Sequence, residues 1–302
     1  MNIIYTAKKR LIYFILSSIL IIVSITTIFV VKPKIGIDFS GGVLLEANFT
    51  KPVDKDDVKN SITTLDFVKD VKVQSTNETT VIVRTSPMDK EQLTKMQATI
   101  NEKVGEYTEV RLDTVGPTVS SDTTKKAIWA VVIASIGIIL YVAYAFRSVP
   151  KPANSWRFGI TAILALLHDV TISTGVYMIL GHFFNFEIDA LFIVAILTIL
   201  GYSVNDTIVI FDRIRENLKI HPEYSFTENV NKSLSQSLAR SINSSMTLVL
   251  VLLALLFLGG ESIRGFVTLL LIGTIVGTYS SIFVAPPLLI VWQNYATKKK
   301  NV

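Results

Sequence analysis

Apolar residues along this chain gather into six runs, 11–31, 127–146, 158–180, 190–211, 241–258 and 265–292, with polar segments between them. A helix rises 1.5 Å per residue, so crossing a hydrocarbon core about 30 Å thick takes roughly 20 apolar residues. Five runs meet that length, and the fifth in order approaches it once its polar opening, Ser241–Ser244, is included. The pattern predicts six membrane-spanning helices. The first follows Lys8-Lys9-Arg10, as a signal peptide would, but it exceeds the usual apolar core of about 7–15 residues. Lys32-Pro33-Lys34, rather than a small-residue cleavage site, comes next, so this helix is expected to remain uncleaved.

Residues 32–126 are the one long polar stretch, and their alternation predicts a small α+β fold. Val43–Phe49, Val68–Val73, Thr80–Arg84 and Thr108–Val115 alternate or are rich in β-branched residues, as strands are. Asp54-Lys55-Asp56-Asp57 opens a helix to about Leu65, its acidic turn suited to the positive end of the helix dipole. Asp89 caps a second, from Lys90 to about Val104. The order β-α-β-β-α-β predicts a ferredoxin-like domain, with two helices over one face of an antiparallel sheet.

Charge then orients the chain. Basic residues concentrate in alternate segments: 1–10, Arg147–Arg157, Asp212–Arg240 and the tail 293–302. The short loops Gly181–Asp189 and Gly259–Arg264 hold Glu187, Asp189 and Glu261 against a single Arg. The positive-inside rule therefore places both termini in the cytoplasm and the 32–126 domain outside it. The net charge of +5 reflects this topology rather than nucleic-acid binding.

There is no cysteine, His168, His182 and His221 lie far apart, and no glycine-rich phosphate loop occurs. No metal, cofactor or nucleotide is expected. No nucleophile–base pair stands out, so an enzyme is not expected either, and Ser40 beside Gly41 and Gly42 reads as a tight turn.

Ionisable residues inside the apolar runs carry the candidate chemistry, because each costs about 2.5–3.5 kcal/mol at the bilayer centre. His168-Asp169 falls in the third run. Asn205-Asp206-Thr207 falls in the fourth, with Asp206 roughly 9 Å along the axis from Asp212 at 1.5 Å per residue. Tyr202, Asp206 and Val209 share a face with Arg213. The fifth helix is expected to begin at Arg240, and Arg240, Asn243, Ser244 and Thr247 follow helical spacing. These residues predict that Asp206 and Arg240 face each other, with Asp169 nearby, on a hydrated proton or ion path. Protonating the carboxylate would release the arginine. The alternative is a static buried pair that fixes helix register, with Arg240 snorkelling to the surface and His168 satisfying Asp169.

The remaining polar and small residues read as structure. Asp212-Arg213-Ile214-Arg215-Glu216-Asn217 has the pattern of a solvated, salt-bridged helix end. Gly273, Gly277, Ser281 and Ala285 form a small-residue stripe for close packing, and Pro286-Pro287 are expected to kink or interrupt the last helix. An acidic and a basic helix make only half of a membrane pathway, which implies a partner.

Five segments share one resemblance. They are Gly36-Ile37-Asp38-Phe39-Ser40-Gly41-Gly42, the long stretch from Gly201 through Asn205-Asp206-Thr207 to Asn217, Leu167-His168-Asp169-Val170, Leu238-Ala239-Arg240-Ser241, and Phe257-Leu258-Gly259-Gly260. In this order they resemble the SecF family of protein-export membrane proteins over nearly the whole chain. The resemblance implies half of a transporter body like that of the resistance-nodulation-division exporters. It implies pairing with a SecD-like subunit in the bacterial cytoplasmic (inner) membrane, beside the Sec channel and its motor. Such a pair would use an ion gradient to help draw unfolded preprotein out at the outer face. The resemblance also assigns Asp206 and Arg240 to the proton path, and marks Gly36, Asp38, Gly41, Gly42, Asp212, Arg213, Arg215, Glu216 and Asn217 as motif positions. The alternatives are half of a small-molecule or lipid exporter of the same superfamily, and a membrane scaffold or sensor whose polar residues act as glue.

Overall fold

The computed structural model describes residues 7–31, 33–147, 149–150 and 154–300, without the side chains of residues 7, 8, 261 and 297–300. Expectations that rest on residues 1–6, Lys32, Ser148, residues 151–153 and 301–302, or on the Lys8 and Lys298–Lys300 side chains, lie outside the described residues. Helix α1 spans Ala7–Val30. The chain then divides into two compact units, residues 35–129 and the remainder.

The first unit runs α2 (Ile37–Ser40), β1 (Gly42–Phe49), α3 (Lys55–Thr63), β2 (Lys72–Ser75), β3 (Thr80–Thr85), α4 (Lys90–Lys103) and β4 (Tyr107–Val115). The strands lie in the order β2-β3-β1-β4, every neighbouring pair antiparallel. That is the ferredoxin-like arrangement expected from the alternation. Val43, Leu45, Val81 and Val83 point from the sheet onto Val58, Ile62, Met96 and Ile100 of the two helices. Asp54 caps α3 by accepting from the Asp56 amide at 2.9 Å, and Asp89 forms a capping box with Gln92 at the start of α4.

One strand differs from expectation. The valine-rich stretch Val68–Val73 is irregular through Val71, with a bend at Asp70, and β2 begins only at Lys72. Val68 donates its amide to the Leu65 carbonyl, and Asp70 takes a left-handed φ of 52°. Val68 is still buried and Val71 partly buried on the domain, so hydrophobicity was satisfied without strand pairing. The glycine-rich motif has a backbone explanation too. Gly41 and Gly42 take φ of 72° and 141°, and a Cβ on Gly42 would lie 2.4 Å from the Thr85 carbonyl oxygen.

Six further helices complete the chain: α5 (Pro117–Ala145), α6 (Ser155–Phe184), α7 (Ala190–Ile220), α8 (Phe226–Leu258), α9 (Glu261–Phe283) and α10 (Ala285–Lys300). Among the described residues, six helical segments are long and apolar enough to cross a membrane, α9 and α10 forming the last together. The expected interruption falls between them at Val284. Pro286 and Pro287 sit in the first turn of α10, where a missing N–H costs no helical hydrogen bond.

In the second unit, α9 packs against α6, α7 and α8, while α1 lies on α6. Glycines permit the close approaches: a Cβ on Gly175 would lie 2.3 Å from Ser24, and one on Gly273 would lie 2.3 Å from Ile199. Helix α8 is longer than the apolar run it contains. Ser225 and Glu228 form a capping box that starts it at Phe226, so Arg240 lies mid-helix rather than at a helix start.

Candidate functional site

The middle of the helical unit holds two buried carboxylates that meet consecutive hydroxyls of one helix. Asp169 of α6 is fully buried. Its Oδ1 lies 2.8 Å from Nδ1 of His168, and its Oδ2 accepts from Ser203 of α7 and, at 2.6 Å, from Ser280 of α9. Asp206 of α7 is 7% exposed, and its Oδ2 accepts from Ser281 of α9 at 2.9 Å. Ser203 and Asp206 are one helical turn apart, so a single face of α7 presents both to α9.

The next hydroxyls of α9 reach the other two neighbouring helices. Thr278 donates to Ser245 of α8 at 2.7 Å, and Ser245 also accepts from Tyr202 of α7 at 2.8 Å. The Tyr279 hydroxyl lies 3.3 Å from Ser17 and donates to the Tyr13 carbonyl, both on α1. The segment Thr278-Tyr279-Ser280-Ser281 thus ties α9 to α8, α1, α6 and α7 in turn. The small-residue stripe that included Ser281 was read as packing alone, so sequence reasoning missed the donors to both carboxylates. The signal available was four consecutive hydroxyl residues in an otherwise apolar span.

Asp206 and Arg240 do not pair in this structure. Arg240 is exposed on α8 and makes no hydrogen bond or ion pair among the described residues; the same holds for exposed Asn205 on α7 and Asn243 on α8. Thr207 is buried, while the Ser244 hydroxyl turns back to the Ser241 carbonyl of its own helix. The α7–α8 hairpin nevertheless brings Asp206 and Arg240 to nearly one depth. Arg213 bonds Gln236 at 2.7 Å and Tyr202 bonds Ser245 at 2.8 Å. Between these two ties, antiparallel helices put Asp206 about level with Ser241 and Ile242, so Arg240 lies only about 3 Å off in height at 1.5 Å per residue. Arg240 is one turn beyond Gln236 on α8, exposed and unpaired with Asp206 among the described residues.

The far end of α7 is a structural lock, as its charge pattern suggested. Arg215 pairs with Asp212 at 2.6 Å and also donates to the Ala145 carbonyl of α5. Arg213 pairs with Glu216 at 2.5 Å. Buried Asn217 donates to Ser233 at 2.7 Å and to Gln236 at 2.8 Å, both on α8. Asp189 caps α7, accepting from the Phe192 amide at 2.8 Å.

Comparison with known proteins decides the family. The description "Protein export membrane protein SecD/SecF, C-terminal" matches residues 95–295, which include every member of the carboxylate cluster except the α1 contacts. The chain belongs to the SecD/SecF family. It is 41% identical over 298 residues to the protein translocase subunit SecF of Thermobaculum terrenum, covering 95% of this chain and 93% of that one. It is 35% identical over 302 residues to the protein translocase subunit SecDF of Bacillus subtilis, covering 98% of this chain and 39% of that one. A crystal structure of SecDF from Thermus, described as a translocon-associated membrane protein, superposes with a TM-score of 0.80 at 33% identity. That match covers 92% of this chain and 37% of the solved one. The chain therefore spans nearly all of a separate SecF and somewhat over a third of a SecDF. As a SecF-type chain with six helices suited to the bilayer, it is a multi-pass membrane protein of the Sec export system.

Proposed function

We propose that this chain pairs with a SecD-type subunit in the cytoplasmic membrane and helps convert an ion gradient into preprotein movement at the outer face. The observation that carries this reading is Asp206, buried in an apolar span with Ser281 as its hydrogen-bond donor and no ion pair among the described residues. A single hydroxyl compensates a carboxylate poorly at that depth, so the residue is suited to exchange a proton or bind an ion. Arg240, at nearly the same depth on α8 and unpaired with it among the described residues, is the natural counter-charge for a second state in which α7 and α8 shift or the partner subunit closes over them. Moving one charge through 100 mV releases about 2.3 kcal/mol, enough for a more than tenfold bias between two such states.

The SecD partner is supported by relatives that carry the name SecDF and contain a SecF-like region of this length. With the first helix starting in the cytoplasm, six spans return the C-terminus to the same side and leave the 35–129 domain outside. There it is positioned to act on emerging, unfolded preprotein beside the channel and motor. The function is that of an accessory translocase subunit rather than of an enzyme.

The test replaces Asp206 with Asn and, separately, Arg240 with Met in cells. Export of a secreted reporter is followed with and without the membrane potential, and protein level and SecD pairing are checked in the same samples. Normal assembly with loss of gradient dependence is the expected result. Unchanged export would make both residues structural glue.

A further inference from the structure

We propose that His168 is itself a proton-binding site, its Nε2 taking up and releasing a proton while Asp169 holds the ring. This rests on the ion-coupled reading given above and assigns the part of that path next to Asp169 to an imidazole.

The geometry of the pair carries the argument. Asp169 is anchored from two other helices, by Ser203 of α7 and Ser280 of α9 on Oδ2. Its Oδ1 remains for Nδ1 of His168 at 2.8 Å. With that oxygen as acceptor, the ring hydrogen sits on Nδ1 and the lone pair sits on Nε2. A carboxylate behind an imidazole is the arrangement that fixes a tautomer and balances the charge when the far nitrogen is protonated. Nε2 is buried, His168 is 6% exposed, and among the described residues no hydrogen-bond partner reaches that nitrogen. A histidine kept only as glue would have both nitrogens satisfied, as buried polar atoms generally are.

The surroundings favour a mobile proton over a fixed contact. On α6, Thr161 and Ser173 stand two turns before Asp169 and one turn after it, on the same face. Both hydroxyls are buried and also lack partners among the described residues. Buried polar groups therefore occur on α6 to either side of the pair, each with hydrogen-bonding capacity left open among the described residues.

The titratable and charged groups facing this region are few. Helix α6 contributes Asp169 and α7 contributes Asp206 with Tyr202. Helix α9 contributes Tyr279, whose ring stacks on the imidazole at 6.4 Å between centroids and whose hydroxyl is engaged with α1. Helix α1 adds Tyr13 and Ser17 and carries no charge between Leu11 and Val30. The nearest cations along α1, α6 and α9 are Arg10, one turn before Tyr13, Arg157 at the start of α6 and Arg264 at the start of α9.

The step balances simply. The Nε2 lone pair forms an N–H bond with a hydronium proton, the hydronium O–H bond breaks, and water is left. The positive ring is then paired through Nδ1–H with the Asp169 carboxylate. Release reverses each change, and nothing is oxidised or reduced.

The test uses the full chain with its SecD-type partner in lipid bilayers, with histidine labelled by nitrogen-15 and observed by solid-state NMR from pH 5 to pH 9. His182→Gln and His221→Gln, both outside the cluster, assign the His168 signals without altering it. The expected result is a bare Nε2 with protonated Nδ1 at high pH, converting to a doubly protonated ring on acidification. Asp169→Asn should move the midpoint by at least tenfold in proton concentration. His168→Gln should flatten the pH profile of gradient-driven export. A ring that keeps its proton on Nε2, or stays neutral across the whole range, overturns the proposal. If that happens while Asp206→Asn still abolishes gradient dependence, this inference fails alone. If His168 titrates but Asp206→Asn changes nothing, the assignment to an ion-coupled path fails instead.

Discussion

Two glycines one turn apart on α9 should respond very differently to the same added methyl group. A Cβ at Gly273 would lie 2.3 Å from both Cδ1 and Cγ1 of Ile199, and 3.0 Å from its Cγ2. Ordinary carbon contacts are about 3.5–4.0 Å, so more than an ångström of overlap must be relieved. Ile199 is 2% exposed, and a β-branched residue in a helix has essentially one χ1 rotamer, so it has nowhere to go. Overpacking of this kind costs about 1–3 kcal/mol, or roughly 5- to 150-fold in a folding or assembly equilibrium.

At Gly277 the nearest atom is Ser203 Cβ at 3.2 Å, which a shift of a few tenths of an ångström accommodates. Gly277→Ala should therefore cost less than about 1 kcal/mol in stability, by comparison with full overpacking. It should still reduce export, because the group displaced is the Ser203 that donates to Asp169. The assay is denaturant-induced unfolding of the purified complex in mild detergent, alongside export in cells. Ile199→Ala alone should cost about 2–5 kcal/mol through its cavity. Combined with Gly273→Ala, it should cost clearly less than the two single changes together, because the methyl enters the space it leaves. A Gly273→Ala variant as stable as the parent, or a double variant with simply additive costs, would refute this account of the α7–α9 contact.

Three further outcomes follow from other contacts. Ser203→Ala and Ser280→Ala each remove a donor from buried Asp169 and should cost about 1–3 kcal/mol apiece, with the double variant non-additive because the acceptor is shared; chemical denaturation of the four proteins measures this. Gly42→Ala forces a side chain into positive φ and against the Thr85 carbonyl, so the 35–129 domain should become sensitive to limited proteolysis, losing about 1–3 kcal/mol or more. Asp89→Ala removes the α4 capping box and should cost about 1 kcal/mol, read as faster amide exchange in the first turn of that helix with the rest of the domain unchanged.

The elements most legible in the sequence were those whose signal is local. Six apolar runs and the β-α-β-β-α-β alternation led directly to the spans and to the ferredoxin-like sheet, because burial period and side-chain type report the same thing there. Helix ends were less legible where they leave the apolar zone. Helix α8 begins at Phe226, well before its hydrophobic run, and the marker was the polar pair Ser225 and Glu228 rather than any apolar residue. Missing it made Arg240 look like a helix start. The stretch Val68–Val73 misled in the opposite sense, since Val68 is buried and Val71 partly buried from an irregular segment in which Asp70 is left-handed.

At the candidate site, Asp169, His168 and Asp206 stood out because an ionisable residue in an apolar run is conspicuous. Their hydroxyl partners did not. Ser280 and Ser281 can each also bond back to their own helix, at 3.1 Å to Gly277 and 3.0 Å to Thr278, and that is the ordinary habit of a helical serine. Which residue they meet across the interface depends on the rotation of α9 against α6 and α7, and that rotation is set by Gly273, Gly277 and their neighbours acting together. Arg240 is of the same kind: spacing placed it on the Asn243 and Thr247 stripe, but only the packed hairpin shows that it is exposed and makes no ion pair with Asp206 among the described residues.

The most direct measurement places this chain and its SecD-type partner in vesicles holding a translocation intermediate, imposes an ion gradient after the motor is stopped, and follows completion of transport. Asp206→Glu, which keeps an exchangeable carboxyl group, should retain part of the gradient-driven completion, and Asp206→Asn should retain none while binding its partner normally. Completion by Asp206→Asn at the parental rate would contradict the account.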